Sequence, residues 1–222
     1  MAKTNSKKDL RRGVLITFEG IDGSGKSTQA QLLRDYLEKT NIPYVFVREP
    51  GGVKIAEEVR RILLDGKNLA MHPRTELLLF LAARSELVDK VISPALSSGR
   101  VVVSDRYADS TFAYQIDGRG LPGKIVKELN SFACAKVKPD LTFLVDLDVK
   151  SAGKRLLKQK DRMESAELAF HERVRKGFLK IAHAEPARVK ILDGHLSQEE
   201  IWQTVRTTSQ RLLARKHIEP AR

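Results

Sequence analysis

Val14-Leu15-Ile16-Thr17-Phe18-Glu19-Gly20-Ile21-Asp22-Gly23-Ser24-Gly25-Lys26-Ser27 is the stretch on which the fold turns. Its first half is a short apolar, β-branched run, as a strand buried on both faces requires. Its second half, Gly20 to Ser27, matches the phosphate-loop pattern G-x-x-x-x-G-K-[ST] in full. The apolar spacing beyond it, with Gln31-Leu32-Leu33 at its centre, predicts a helix over 27–39. Strand, loop and helix in that order are the context the pattern needs. Glycines let the loop curl so that backbone N–H groups converge on phosphate oxygens, helped by the helix N-terminus. Lys26 is expected to reach the β- and γ-phosphates and the Ser27 hydroxyl to ligate Mg²⁺. The ATP-holding loop thus comprises Gly20, Ile21, Asp22, Gly23, Ser24, Gly25, Lys26, Ser27 and Thr28.

Working outward, similar apolar runs predict strands over 44–49, 101–105, 141–148 and 189–192, besides 14–19. Helical patterns alternate with them over 55–64, 75–98, 124–134, 165–184 and 198–214, and Pro94 is expected to kink or end the third helix. The fold class that follows is α/β: a five-stranded parallel sheet flanked by helices, with ligands at the strands' carboxyl ends. No repeat and no Pro/Gly/Ser-rich linker divides the chain. One domain over 13–214 is expected, with basic tails over 1–12, unstructured, and 215–222.

Composition narrows the class. The 222 residues carry 40 basic and 28 acidic side chains, a net charge of +12, with 41% hydrophobic residues. That hydrophobic share is ordinary for a soluble domain able to bury a full core. No apolar run approaches the roughly 20 residues of a membrane span, and the polar, basic start lacks the apolar region of a secretory leader. The only cysteine, Cys134, cannot form an internal disulfide, which fits a reducing compartment, so a cytoplasmic protein is expected. Much of the positive excess sits in the tails, where it reads as solvated charge rather than as a nucleic-acid site.

A phosphate loop binds a triphosphate without saying what is done with it. No N-K-x-D string is present, so nothing reads guanine as a GTPase would. The run Val101-Val102-Val103-Ser104-Asp105 ends with Arg106 rather than the Asp-Glu of motor ATPases. An arginine at that place suits a second anion held beside the triphosphate.

At these residues a resemblance becomes specific. Phe18-Glu19-Gly20-Ile21-Asp22, Arg48-Glu49-Pro50-Gly51-Gly52, Phe80-x-x-x-Arg84, Asp105-Arg106-Tyr107, Tyr114-Gln115 and Asp161-Arg162-Met163-Glu164 resemble the motifs of bacterial thymidylate kinases, in order and at similar separations. The likeness runs from Val14 to about Ala214. It implies ATP-dependent, Mg²⁺-assisted phosphorylation of dTMP to dTDP by a cytoplasmic homodimer, with no nucleic-acid or membrane partner. The alternatives are a kinase for UMP, CMP or another pyrimidine monophosphate and, more remotely, a nucleic-acid-dependent P-loop ATPase.

The resemblance also implies roles. Asp22 would lie near the acceptor's 3′-hydroxyl, because a carboxylate facing the phosphates would be repelled; the alternative is a loop-stabilising cap. Phe80 and Arg84, four apart on one helix face, would stack on thymine and meet its carbonyl edge, though Phe80 alone could be core. Thr111 and Gln115 resemble base-edge contacts. Tyr114 resembles the residue excluding a ribose 2′-hydroxyl, or is a buried tyrosine with a satisfied hydroxyl. Arg48, Pro50 and Arg60 would hold the acceptor, with either Arg60 or Arg61 a surface residue. Asp105 would join Ser27 at the metal. The basic stretch 154–164 would be a lid, from which Arg162 swings onto the transferring phosphate, with Lys158 and Lys160 sharing the task or solvated. Phe178 stands where many relatives carry Tyr, so no hydroxyl contact is expected there. Lys26, Arg106, Arg162 and Asp22 form the catalytic set.

Overall fold

The structure is a computed structural model that describes residues 12–156, 162–164 and 167–220. Lys158, Lys160 and Asp161 lie outside them, as does the expected N-terminal tail up to residue 11. Five parallel strands, β1 (Val14–Glu19), β2 (Tyr44–Arg48), β3 (Val101–Asp105), β4 (Leu141–Asp146) and β5 (Val189–Asp193), form one sheet in the order β2-β3-β1-β4-β5. The two outer predicted strands end one residue either side of their expected limits, and β4 ends two residues early.

Burial explains the apolar runs. Every residue of β1 is buried, because helices cover both faces of the sheet. Val14, Ile16 and Phe18 face α1 (Lys26–Lys39) and the C-terminal helix α9 (Gln198–Arg215), through Leu33, Leu37, Val205 and Leu212. Leu15, one step out of phase, packs with Leu87, Ile92 and Val102 on the other face. Each such side chain contributes about 1.5–3 kcal/mol by leaving water. Glu19 falls in the phase of Leu15 and is buried beside Tyr107 rather than in the α1 layer.

Between β2 and β3 come α2 (Lys54–Leu64), α3 (Pro73–Leu87) and α4 (Ser93–Ser97). The single helix expected over 75–98 is corrected here. A π-helical turn, Val88–Ile92, joins α3 to α4, and the Ser93 amide donates to the Val88 carbonyl five residues back. Pro94 cannot donate and its ring crowds the preceding turn, which this wider turn relieves. After β3, α5 (Ala108–Thr111) runs into a second π-helical turn, Phe112–Gly118. The rest is α6 (Gly123–Ala133), α7 (Val149–Arg155) and α8 (Leu168–Ala184). Neither the 108–118 segment nor α7 was predicted, and α8 starts later than its pattern.

The C-terminal tail expected from 215 is also corrected. Arg215 ends α9, Lys216 pairs with Asp140 at 3.3 Å, and Ile218 packs against the main core.

Candidate active site

β1 ends at the phosphate loop, and its neighbours in the sheet bring β2 and β3 to the same edge. The register sets Phe18 beside Asp105 and Asp105 beside Arg48. Three strand ends therefore deliver the loop, the Arg48-Glu49-Pro50 turn and the Asp105-Arg106 pair to one place. The loop needs its glycines. Gly20 has φ 141°, and a Cβ there would sit 2.6 Å from the Val145 carbonyl oxygen, while Gly25, just ahead of α1, has φ 99°. L side chains avoid both conformations.

A cavity of about 170 Å³ opens at this edge. Every residue expected at the acceptor lines it: Asp22, Arg48, Pro50, Arg60, Phe80, Arg84, Asp105, Arg106, Thr111, Tyr114 and Gln115, together with Lys26 and Ser27. Glu49, Leu64, Ser110 and Met163 line it too, although the sequence reading gave them no role. Thr28 and Arg162 do not line it.

Asp22 is the electrostatic centre. Its Oδ1 accepts from Lys26 Nζ at 3.1 Å and Arg106 Nη2 at 2.5 Å, and its Oδ2 accepts from the Tyr114 hydroxyl at 3.3 Å. Burial alone would raise its pKa, but Arg106 and Lys26 hold it far below the usual carboxylate range. Arg106 has φ 70°, a strained left-handed turn, and its guanidinium lies over the Tyr114 ring at 5.2 Å. Tyr114 itself is 6% exposed with its hydroxyl satisfied by Asp22 and Arg106. Phe178, without a hydroxyl, packs edge-on to its ring at 6.1 Å.

Arg84 is 2% exposed and already committed. Its Nε donates to Glu49 Oε2 at 2.7 Å, its Nη1 to Thr111 Oγ1 and Asn130 Oδ1, both at 2.5 Å, and its Nη2 to the Tyr107 carbonyl at 3.0 Å. Burial raises the Glu49 carboxyl pKa while Arg84 opposes the rise. Gln115 donates to Glu76 at 3.2 Å. Arg48 and Arg60 both donate to the Pro50 carbonyl, at 3.1 and 2.8 Å, and Arg48 also grips Glu57 with two bonds of 3.0 Å. Of the Arg60–Arg61 pair, Arg60 faces the cavity and Arg61 is exposed beside Glu58.

Two carboxylate atoms at the cavity residues Glu49 and Asp105, namely Glu49 Oε1 and Asp105 Oδ1, are buried with no hydrogen-bond partner among the described residues. Asp105 with Ser27 fits Mg²⁺, which takes one or two protein ligands and fills its shell with phosphate oxygens and water. Among the described residues no cluster of three or more His, Cys, Asp or Glu forms a cage for a metal.

Arg162, expected to swing onto the transferring phosphate, is held at α2 in this structure. It is 4% exposed, and its Nε donates to the Leu63 carbonyl at 2.6 Å while its Nη1 pairs with Glu76 at 2.7 Å. Glu76, fully buried, also takes two bonds from Arg119, and these guanidiniums outweigh the burial that would raise its pKa. The structure thus seats Arg162 on the end of α2, away from the phosphate loop. At that loop stands Arg155 instead, reaching the Ser24 carbonyl at 3.5 Å and the Gly194 carbonyl at 3.1 Å. It went unnoticed because α7 was not predicted.

A phosphate loop on the central strand, with an arginine-lined cavity beside it on the adjoining strand ends, defines a P-loop nucleotide phosphotransferase. The thymidylate kinase family model matches residues 18–205. The chain is 45% identical over 204 residues to a thymidylate kinase of Symbiobacterium thermophilum, spanning 91% of this chain and 95% of the relative. It is 46% identical over 194 residues to one of Kosmotoga olearia, spanning 86% and 93%. The crystal structure of thymidylate kinase from Ehrlichia chaffeensis superposes with a TM-score of 0.71 at 35% identity, covering 90% of this chain and 99% of that one. The chain belongs to the thymidylate kinase family.

Proposed function

We propose that this protein transfers the γ-phosphoryl group of ATP to dTMP, releasing ADP and dTDP. The observation that carries the reading is a cavity in which Lys26 and Arg106 adjoin Phe80, Arg84, Tyr114 and Gln115. It joins phosphate chemistry to a recess with an aromatic face and polar edges.

The acceptor phosphate is ionised at neutral pH, its second pKa being about 6, so no general base is needed. The difficulty is bringing two anions together, and the rate comes from positioning and charge neutralisation. Lys26 would serve the donor phosphates. Arg106 would turn from Asp22 to the acceptor phosphate, with Arg48 and Arg60 holding it from the other side. Asp22, once released, would meet the acceptor's 3′-hydroxyl. Mg²⁺, held by Ser27 and Asp105, would supply charge neutralisation on the donor oxygens. Arg162 would have to leave Glu76 to reach the transferring group, which ties its action to lid movement.

We read the protein as a cytoplasmic homodimer. Among the described residues no helix is long and apolar enough to cross a membrane. For the dimer, α2 leaves Ile55 and Ile62 exposed, seven residues apart on one face, and α6 does the same with Ile125 and Phe132. Such apolar surface suits a second copy. The decisive assay couples ADP release to ATP, Mg²⁺ and a panel of nucleoside monophosphates. Preferred turnover of dTMP is the expected result, and equal or better turnover of UMP or CMP would reassign the acceptor.

A further inference from the structure

Glu19, the last residue of β1, has no part in the chemistry above. Its side chain is 1% exposed and does not line the cavity. Its Oε1 accepts from the Tyr107 amide at 2.8 Å, and its Oε2 lies 2.6 Å from Ser110 Oγ. Ser110 Oγ in turn accepts from Arg106 Nη1 at 3.1 Å. One carboxyl group thus grips the backbone just after the strained Arg106 turn and, through one hydroxyl, the tip of the Arg106 side chain. The turn is pinned on its other side as well: the Arg106 amide donates to the Phe18 carbonyl at 2.9 Å, and Ser104 Oγ donates to the Arg106 carbonyl at 2.6 Å. A left-handed conformation in a non-glycine residue persists only when its surroundings over-determine it.

We infer that Glu19 is a positioning residue for phosphoryl transfer, anchoring Arg106 for the acceptor phosphate through the Tyr107 amide and the Ser110 hydroxyl. The inference rests on reading the cavity as the dTMP site, and adds a residue that touches neither substrate. The surroundings favour a hydrogen-bonding role over a charged one. Asp109 faces Glu19 from α5 and is itself met by Arg188 at 2.7 Å, while Arg106 is met by Asp22 at 2.5 Å. The Glu19 carboxyl accepts from the Ser110 hydroxyl on one oxygen and from the Tyr107 amide on the other. Glutamine keeps the bond from the Tyr107 amide but turns a donor-only nitrogen toward the Ser110 hydroxyl, and alanine makes neither bond.

The test is steady-state kinetics in both substrates for wild type, Glu19→Ala, Glu19→Gln and Ser110→Ala, each alone and with Arg106→Ala. Glu19→Ala should raise KM for dTMP roughly ten- to a hundredfold and lower kcat, leaving KM for ATP within about twofold. Glu19→Gln, which keeps only the Tyr107 bond, should raise KM for dTMP less than Glu19→Ala and about as much as Ser110→Ala. Ser110→Ala, which removes only the link to the guanidinium, should raise it about tenfold, and keeps the test open if Glu19→Ala does not fold. With Arg106→Ala present, all three substitutions should lose their effect on dTMP. An unchanged KM for dTMP in Ser110→Ala and Glu19→Ala overturns the inference. So do equal losses for both substrates, or effects that persist without Arg106. A wild type that ignores dTMP refutes the acceptor assignment instead, leaving the two failures distinguishable.

Discussion

At the scale of the residue, three charged side chains make separable claims. Arg106 lies in the cavity and holds Asp22, so its loss should touch binding and chemistry together. Arg162 is buried against Glu76, outside the cavity, and can reach a transferring group only by leaving that pair. Arg162→Ala is therefore expected to lower kcat at least tenfold, with both KM values within about threefold, whereas Arg106→Ala lowers kcat and weakens dTMP. Measuring both constants for both variants decides this, and a near-normal kcat in Arg162→Ala would confine that arginine to its structural pair. Glu19 offers a thermodynamic check. Burial and Asp109 push its carboxyl up to about 8 from an ordinary 4.5. A pKa raised on folding lends stability that is complete below the unfolded value and disappears as pH climbs through the folded one. The urea-unfolding free energy of Glu19→Gln should therefore gain on that of wild type steadily from about pH 5 to pH 8, by at most about 1.4 kcal/mol per pH unit. A flat difference would mean that Glu19 is ionised throughout.

At the scale of the element, what was legible depended on how local the signal was. The strands showed in the sequence because burial on both faces leaves an unbroken apolar run, as in Val101-Val102-Val103. The phosphate loop showed because only glycine meets its backbone demands. The Phe112–Gly118 turn did not show, although Thr111 and Gln115 were expected at a base edge and Tyr114 at the ribose. It packs along α8, a contact that no local pattern in its own residues announces. The commitment of Arg84 to Glu49, Thr111 and Asn130 was equally invisible, since those partners lie 35, 27 and 46 positions away. Gly177 on α8 makes this contact testable. A Cβ there would lie 2.9 Å from the Asp117 side chain and 3.0 Å from Ala113 Cα. Gly177→Ala should cost about 1–3 kcal/mol and, by shifting the turn that carries Tyr114 and Gln115, raise KM for dTMP more than that for ATP. Thermal melts and kinetics on one preparation would show it. A loss of stability with both KM values intact would separate the packing from the site.

At the scale of the whole molecule, two surfaces carry expectations. Phe132 is 84% exposed at the end of α6, where an isolated domain gains nothing from it. Phe132→Asp should convert the proposed homodimer to monomers in sedimentation equilibrium, and an unchanged mass would move the interface elsewhere. The other surface is electrical. The +12 net charge suggests a protein that gathers phosphates by long-range attraction, yet the cavity is not a bare basic patch. Lys26 and Arg106 share Asp22, Arg48 is gripped by Glu57, and Arg84 by Glu49. On the proposed reading an arriving phosphate would swap places with a carboxylate that is already seated, and few small ions would be shed into the solvent. Binding of that kind resembles ion exchange more than condensation. KM for dTMP should then drift little between about 50 and 200 mM salt, where a protein neutralising many bare phosphates would lose orders of magnitude. Asp22 is in effect a tethered competitor, keeping the cations in register and giving way to an anion that brings more charge.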